Sequence, residues 1–516
     1  VRCVTMPPLG ARWMLSGGEE KMRGELVETN GSVTTISLPV ADAARIAREK
    51  ADTYHRYQID AENVGDRQKI PRRFNVKVGR FGLAKVIFKE FFKYFGKWDV
   101  IFSRPCTYGV FSGPVGGFLP RPDLCVGCLR CEVQHPDFIS VTHNPKLSRL
   151  GDSYLTHKHI ATIDEESHKG GVPVRGQGYR GRFGGPGFDQ MFTDMSEIIR
   201  PSRDGIHGRE LIGTSVDLGS KPMQLKFSDK GAILNPPKMV TIQVPFIFDA
   251  PPTTITDPIV ARIYAKTAAD IDSIALLPAH TVRELGLASP WVAPIVKPFE
   301  IGTIESFGNG TQMVEMSSWD AEAFAATKSS DLMVAVRLPF AGDWKSTMME
   351  MIDAGVGVIH FVADYHGEAD DGRFVMELLQ EAHFALVENG SRDTVTLIGS
   401  GGVAGADHLP KAIICGLDAV ALDLPPLVAM QAHLSGDLQT RDEVEVSLPK
   451  SLDLEWGCQR LKNLSCSWRD QMLEILGAMG IREVRRLRGE IGRAMWCSNL
   501  EAEAFADIEG FPGGDF

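Results

Sequence analysis

Cys125, Cys128 and Cys131 stand at Cys-x-x-Cys-x-x-Cys spacing in RPDLCVGCLRCEVQHPDFISV, residues 121–141. A loop of that spacing points three thiolates inward, where they suit the corner irons of a cubane cluster. The fourth ligand is open: His135 follows in the same run, Cys106 is the nearest other cysteine, and a three-iron cluster needs none. Three thiolates and His135 also suit tetrahedral zinc, and a loop without metal is the bland alternative. A second group is the glycine turn Gly399, Ser400, Gly401, Gly402 in TVTLIGSGGVAGADHLPKAIICGLDAVALD, residues 394–423. Glycines between a strand and a helix let backbone amides approach an anion, and a helix start adds its dipole, so the turn is a candidate phosphate site, while Gly416 ends the helix that follows. The bland alternative is a tight turn with no ligand. His360, Asp364 and His366 follow one strand as candidate proton donors or ligands.

These groups need elements to hold them. From about residue 239 the chain alternates strand and helix in units of about thirty residues, the signature of a parallel sheet. Strands are expected at Thr241–Phe248, Ser273–Leu277, Trp291–Val296, Leu332–Leu338, Val356–Val362, Val395–Ile398 and Ala419–Leu422, with helices at Trp344–Ala354, Arg373–Glu388 and Asp407–Cys415. So many units suggest a closed (β/α)8 TIM barrel, with a doubly wound open sheet as the alternative. Four regions follow: a mixed α/β segment 1–115, a ferredoxin-like cysteine loop 116–150, an irregular bracing linker 151–235, and the barrel with C-terminal helices 236–516. Residues 456–495 read as helical, with Met472, Leu473, Leu476 and Met479 as a core stripe. Residues 41–58 also read as helical. Residues 83–95 read as a packed helix with snorkelling lysines rather than one resting on a membrane or partner. Cys458 and Cys466 read as buried thiols.

With 516 residues, 43% of them hydrophobic, the chain has ample material for a large core. A net charge of −11 and no long basic tract argue against a nucleic-acid binder. No run of about 18 apolar residues announces a transmembrane helix. No secretory signal pattern is read, and clustered cysteines suit a reducing compartment, so a cytoplasmic protein is expected.

Three stretches carry a family likeness: residues 188–222 (FDQMFTDMSEIIRPSRDGIHGRELIGTSVDLGSKP), 390–423 and 458–481 (CQRLKNLSCSWRDQMLEILGAMGI). They resemble the FMN-binding synthase part of glutamate synthases, in the short archaeal-like form with a ferredoxin loop ahead of its barrel. The resemblance implies a (β/α)8 barrel holding FMN, a 4Fe–4S or 3Fe–4S cluster, and reduction of an imine formed from 2-oxoglutarate and ammonia. It places the flavin phosphate at Gly399–Gly402 and Gly416, and Arg337 where the family has a lysine. The family's substrate loop is replaced by ADYHGEADD (363–371), whose four carboxylates oppose a dicarboxylate. Two functions follow from different classes. One is a flavin and iron–sulfur oxidoreductase acting on a small molecule or a redox partner. The other is a diverged paralogue serving as a structural or electron-relay subunit of a larger complex. A phosphate-binding barrel of the inosine monophosphate dehydrogenase kind ranks last, because Cys415 falls inside a helix.

Overall fold

The computed structural model describes residues 57–100, 106–111, 120–171, 185–193 and 212–508 apart from 69, 99, 232, 235–236, 328–329 and 506, together with the short strands Arg2–Val4, Arg23–Thr29 and Ser32–Ser37. Eight parallel strands close into a barrel: β1 (Phe246–Phe248), β2 (Ala275–Pro278), β3 (Val292–Val296), β4 (Met313–Met316), β5 (Met333–Pro339), β6 (Val358–Val362), β7 (Thr396–Ser400) and β8 (Ala419–Leu422). Closure is sealed by β1 pairing with β8, Phe246 opposite Val420 and Phe248 opposite Leu422. That excludes the open sheet.

The strands are short apolar runs buried on both sides, as a parallel barrel requires. Helices Trp344–Ala354 and Val375–Glu388 return the chain as the sequence pattern predicts. Three readings change. The expected strand Thr241–Phe248 is two: Lys238–Ile242 pairs antiparallel with Val216–Ser220, and only Phe246–Phe248 enters the barrel, with Pro245 just ahead of it. The sequence reading missed β4 because Glu315 interrupts its apolar run, and that carboxylate is buried against partners from other strands. The helical reading of 456–495 stops at Ala478, where the long helix Leu454–Ala478 gives way to 3-10 turns and the strand Ala494–Trp496.

Inside the region read as an irregular linker, His157–Lys169 is a helix. Its buried residues include Glu166, whose carboxylate accepts Trp468 Nε1–H at 2.8 Å and Gln471 Nε2–H at 2.8 Å from the long C-terminal helix. Asp164 on the same helix takes the fully buried Arg460 at 2.5 Å. Polar side chains thus dock this helix, which is why its face carries no long apolar period. Residues 185–193 and the C-terminal strand Ala494–Trp496 also meet, Trp496 opposite Met191.

The helix over residues 83–95 exists as Arg80–Lys93, but it is not packed as expected. Phe81 is 95% exposed, and Phe88, Phe92 and Phe95 are exposed on the same side. Gly79 and Gly82 hold the other side against Phe138. The expected helix at 41–58 lies outside the described residues except at its end. Among the described residues no helix is long and apolar enough to cross a membrane. Cys458 is a buried thiol as expected, whereas Cys466 is disulfide-bonded.

The lower face of the barrel is pinned by Arg392, which is 4% exposed. It donates to Asp418 Oδ2 (2.8 Å), Gly416 O (2.6 Å), Val395 O (2.8 Å) and His383 Nδ1 (3.2 Å). Arg392→Met leaves the Asp418 carboxylate with only part of its compensation, so urea unfolding is expected to show a loss of about 3–5 kcal/mol. A loss below about 1 kcal/mol contradicts this account of the lower face.

Candidate functional site

Three carboxylates lie buried at the upper, C-terminal end of the barrel, where active sites of this architecture sit. Asp249 follows β1, Glu315 is on β4 and Asp423 follows β8; each is 3% exposed or less. A buried carboxylate is stable only when paired. Arg337 on β5 supplies one pairing: its guanidinium donates to both Glu315 and Asp249. His360 on β6 lies beside Arg337 in the strand register, and its Nδ1 meets Glu315 Oε2 at 2.8 Å. With Glu315 accepting, Nδ1 carries the proton. The other nitrogen, Nε2, is buried without a partner among the described residues.

A second guanidinium enters from above. The antiparallel strands His433–Gly436 and Val444–Ser447 frame a hairpin that extends Arg441 over the barrel end. Arg441 meets Asp249 Oδ2 at 3.1 Å, Asp423 Oδ2 at 3.2 Å, Ser400 Oγ at 2.9 Å and Ala363 O at 2.7 Å, and lies over the Tyr365 ring. It bridges the loops after β7 and β8. Burial alone pushes the Asp249 and Glu315 carboxyls up, but Arg337 acts against it on both, with Arg441 at Asp249 and His360 at Glu315, and holds them below the usual range. Asp423 goes the other way: burial, only partly offset by Arg441, pushes it up to about 6.

The glycine turn is buried throughout. Gly401 has φ +107°, and a Cβ there would stand 2.4 Å from Asp364 O, so the loop after β6 packs directly on the turn. Gly402 N–H donates to Tyr365 O at 3.2 Å, and Gly402 O accepts the Tyr154 hydroxyl at 2.5 Å. The loop after β8 gives little to an anion: Leu424 N–H already caps onto Asp423 Oδ1 at 2.7 Å, and Pro425 and Pro426 carry no N–H. Gly416 is not part of this end. It follows the return helix His408–Ile414 and precedes β8 at the opposite face, against His383, because a βα unit carries the chain back down.

His360, Asp364 and His366 are not one group. His360 faces the buried carboxylates, whereas His366 Nε2 meets Asp152 Oδ2 at 2.6 Å and stacks on Tyr154. Asp364 accepts Glu368 N–H and Gln439 Nε2–H, both at 2.7 Å. These contacts hold the loop 363–371 over the glycine turn. Cys415 is fully buried, and desolvation pushes its thiol up to about 12, which suits packing and not nucleophilic work.

One cluster escaped the sequence reading because its members are far apart in the chain. His159, Asp189 and His408 bring three ligand-type atoms within 4.8 Å of one another. His408 Nδ1 accepts Ala404 N–H at 3.1 Å and His159 Nδ1 accepts Thr156 N–H at 3.3 Å. Each Nε2 therefore carries its proton and donates to Asp189, at 3.0 and 3.3 Å. A metal-bound histidine needs the reverse arrangement, a bare nitrogen inward and N–H outward. The trio is a hydrogen-bonded clamp tying residues 185–193 to the helix after the glycine turn.

The cysteine loop lies in a separate, smaller core. Cys106 and Cys131 are buried there with Phe74, Val110, Phe111, Ile139 and Val141, and Cys125 packs against them. Cys128 is exposed. Burial pushes the Cys125 and Cys131 thiols up, the latter to about 11. His135 closes the short helix Arg130–Gln134, and its ring packs on Phe138 at 5.1 Å.

An acid whose folded pKa lies above its unfolded one costs stability as pH rises through the interval between them. For Asp423 that interval runs from 3.8 to about 6. Asp423→Asn is expected to match the parent stability near pH 4 and to exceed it above pH 6 by up to about 3 kcal/mol, read from urea unfolding at each pH. A constant difference across that range contradicts the assignment.

No family model matches the chain. It is 23% identical over 435 residues to the archaeal-type glutamate synthase [NADPH] of Dehalococcoides mccartyi, covering 72% of this chain and 86% of that one. It is 34% identical over 114 residues to the archaeal glutamate synthase [NADPH] of Methanocaldococcus jannaschii, 21% of this chain and 22% of that one. The chain thus spans most of the first relative and about a fifth of the second. Among solved structures, mandelate oxidase overlaps at 14% identity and a TM-score of 0.34, covering 58% of this chain and 97% of that one. A flavocytochrome b2 mutant overlaps at 11% identity and a TM-score of 0.35, covering 62% and 89%. The sequence relationship extends over most of the first relative, and the likeness is to archaeal-type glutamate synthases, from which this chain has diverged.

Proposed function

We propose that the chain is a flavin- and iron–sulfur-dependent oxidoreductase of glutamate synthase type, using FMN and a thiolate-held cluster to reduce an imine or oxo-acid-type substrate. The observation that carries this reading is the 435-residue relationship to an archaeal-type glutamate synthase, together with the glycine turn after β7. In barrels of this kind the loops after the seventh and eighth strands take a phosphate. Here the Ser400 hydroxyl, the Arg441 guanidinium and the turn from Gly401 converge between those loops. That donor set fits a phosphate, with Arg441 exchanging a carboxylate partner for it. Asp423 opposes a phosphate when ionised and tolerates it when protonated.

Bound FMN would supply hydride and single-electron transfer. The chain's own part is electrostatic. Arg337 holds positive charge at the barrel end, shared with Asp249 and Glu315, and His360 presents Nε2 toward the buried interior. The loop 363–371 keeps Asp364, Glu368, Asp370 and Asp371 above the site. Its field disfavours a dicarboxylate, so the reading favours a substrate with at most one carboxylate.

One observation favours a second reading, a structural or electron-relay subunit. Both guanidiniums at the barrel end are held by buried carboxylates, so binding an anion there requires breaking an existing pair.

A visible spectrum of anaerobically purified protein, with flavin extraction and iron analysis on the same sample, separates the two. About one FMN per chain with iron supports the oxidoreductase. Iron with no flavin, even after incubation with excess FMN, overturns it in favour of the relay. Neither flavin nor iron overturns the oxidoreductase and the relay and leaves the structural subunit. Arg441→Ala is expected to weaken FMN binding at least tenfold by equilibrium dialysis, whereas an unchanged affinity removes Arg441 from the phosphate site.

A further inference from the structure

Resting on the iron–sulfur part of that reading, we propose that Cys106 is the fourth cluster ligand, so that Cys106, Cys125, Cys128 and Cys131 hold one cluster and His135 stays outside it. The cysteine motif supplies three thiolates, and the sequence leaves the fourth position open between His135, Cys106 and nothing. Tertiary structure brings Cys106 in. It shares the small apolar core with Cys131, and Cys125 packs on the same residues. Cys106 and Cys128 lie close enough to both Cys125 and Cys131 to act on them electrostatically.

The backbone fixes this arrangement. Arg121 at the entry to the loop donates its N–H to Val110 O at 2.8 Å and its guanidinium to Gly109 O at 3.1 Å, tying the Cys106 segment to the cysteine loop. Gly127 at φ +70° lies against the Phe74 ring, where a Cβ would stand 2.2 Å from Cζ. Leu129 takes φ +54° without being glycine, a conformation that L side chains adopt at a cost. Those two residues wrap the loop. The amides of Gly127 and Glu132 donate to the sulfurs of Cys125 and Cys131, the kind of contact that sets a cluster's potential. His135 is engaged otherwise, its ring packed on Phe138 and its backbone N–H bonded to Cys131 O at 3.0 Å.

On ligation each thiol gives up its proton to solvent and each thiolate takes one iron of a 4Fe–4S cubane. Four sulfur ligands favour a lower potential than a site with histidine, since imidazole ligation raises it in Rieske centres. Cys128 is the exposed corner, so single electrons would enter or leave there.

The test uses the full chain, reconstituted anaerobically with iron and sulfide, as the parent and as Cys106→Ser, His135→Ala and Cys131→Ser. Iron content, Mössbauer and electron paramagnetic resonance spectra are the readouts, with circular dichroism to confirm folding. The parent and His135→Ala are expected to hold about four irons in a diamagnetic 4Fe–4S state. Cys106→Ser is expected to fall to about three irons or fewer, with a 3Fe–4S signal or no cluster, as Cys131→Ser does. A full cluster in Cys106→Ser together with its loss in His135→Ala overturns the ligand assignment and leaves the iron–sulfur reading standing. A parent that takes up no iron, or takes zinc in preference, overturns that reading and this proposal with it. Should Cys106→Ser fail to fold, alkylation of the reconstituted parent decides: Cys106 is expected to be protected with the cluster present and labelled after iron chelation. Equal labelling in both states overturns the proposal.

Discussion

Burying three carboxylates at one end of a barrel is affordable only with cations in fixed places, and that constraint organises the upper half of this molecule. Asp249 and Asp423 follow the neighbouring strands β1 and β8, Glu315 stands on β4, and Arg337 and Arg441 join them. Arg337 belongs to the barrel wall. Arg441 belongs to a hairpin that must close over the barrel end to deliver it. Hairpin, loop 363–371 and glycine turn are therefore tied together by one guanidinium, through Ala363 O, Ser400 Oγ and Asp423. Each carboxylate has a defined job in that lattice, and Asp423, the least compensated, titrates nearest neutrality.

Around this end the chain adds a second layer of polar clamps. Tyr154 reaches Gly402, His408 and His159 share Asp189, and His366 meets Asp152. All three hold residues 152–159 and 185–193 against the loops after β6 and β7. On the far side Glu166 and Asp164 anchor the same region to the long C-terminal helix. A segment with little apolar periodicity is thus held by hydrogen bonds whose geometry specifies its position more tightly than apolar contact would.

The two candidate redox sites differ in how their ligands are delivered. At the cysteine loop three sulfurs come from seven consecutive residues, and local backbone, Gly127 and Leu129, sets their directions. At the barrel every charged group comes from a different strand or loop. The first can be recognised from spacing; the second exists only once the barrel closes. That division matches the chemistry proposed for each: a cluster needs closely spaced ligands, whereas a flavin-sized cofactor needs groups from several sides.

What the sequence determined by itself is what depends on near neighbours. Apolar runs with helical returns specify parallel strands, the cysteine spacing specifies a short loop that carries three thiols, and the glycines after β7 specify a tight turn. β4 stayed hidden because a single charged residue, Glu315, broke its run, and only its partners on β5 and β6 make a buried carboxylate tolerable there. The helix His157–Lys169 stayed hidden because its docking is polar. Gly416 looked like a neighbour of Gly402 and lies at the opposite face, since proximity along a βα unit is not proximity in space. Tertiary structure alone decided that His360 and His366 part company, that Arg441 reaches the barrel end, and that Cys106 rather than His135 lies among the buried thiols. In each case the physical reason is the same: the contact joins residues whose separation along the chain carries no periodic or local signal.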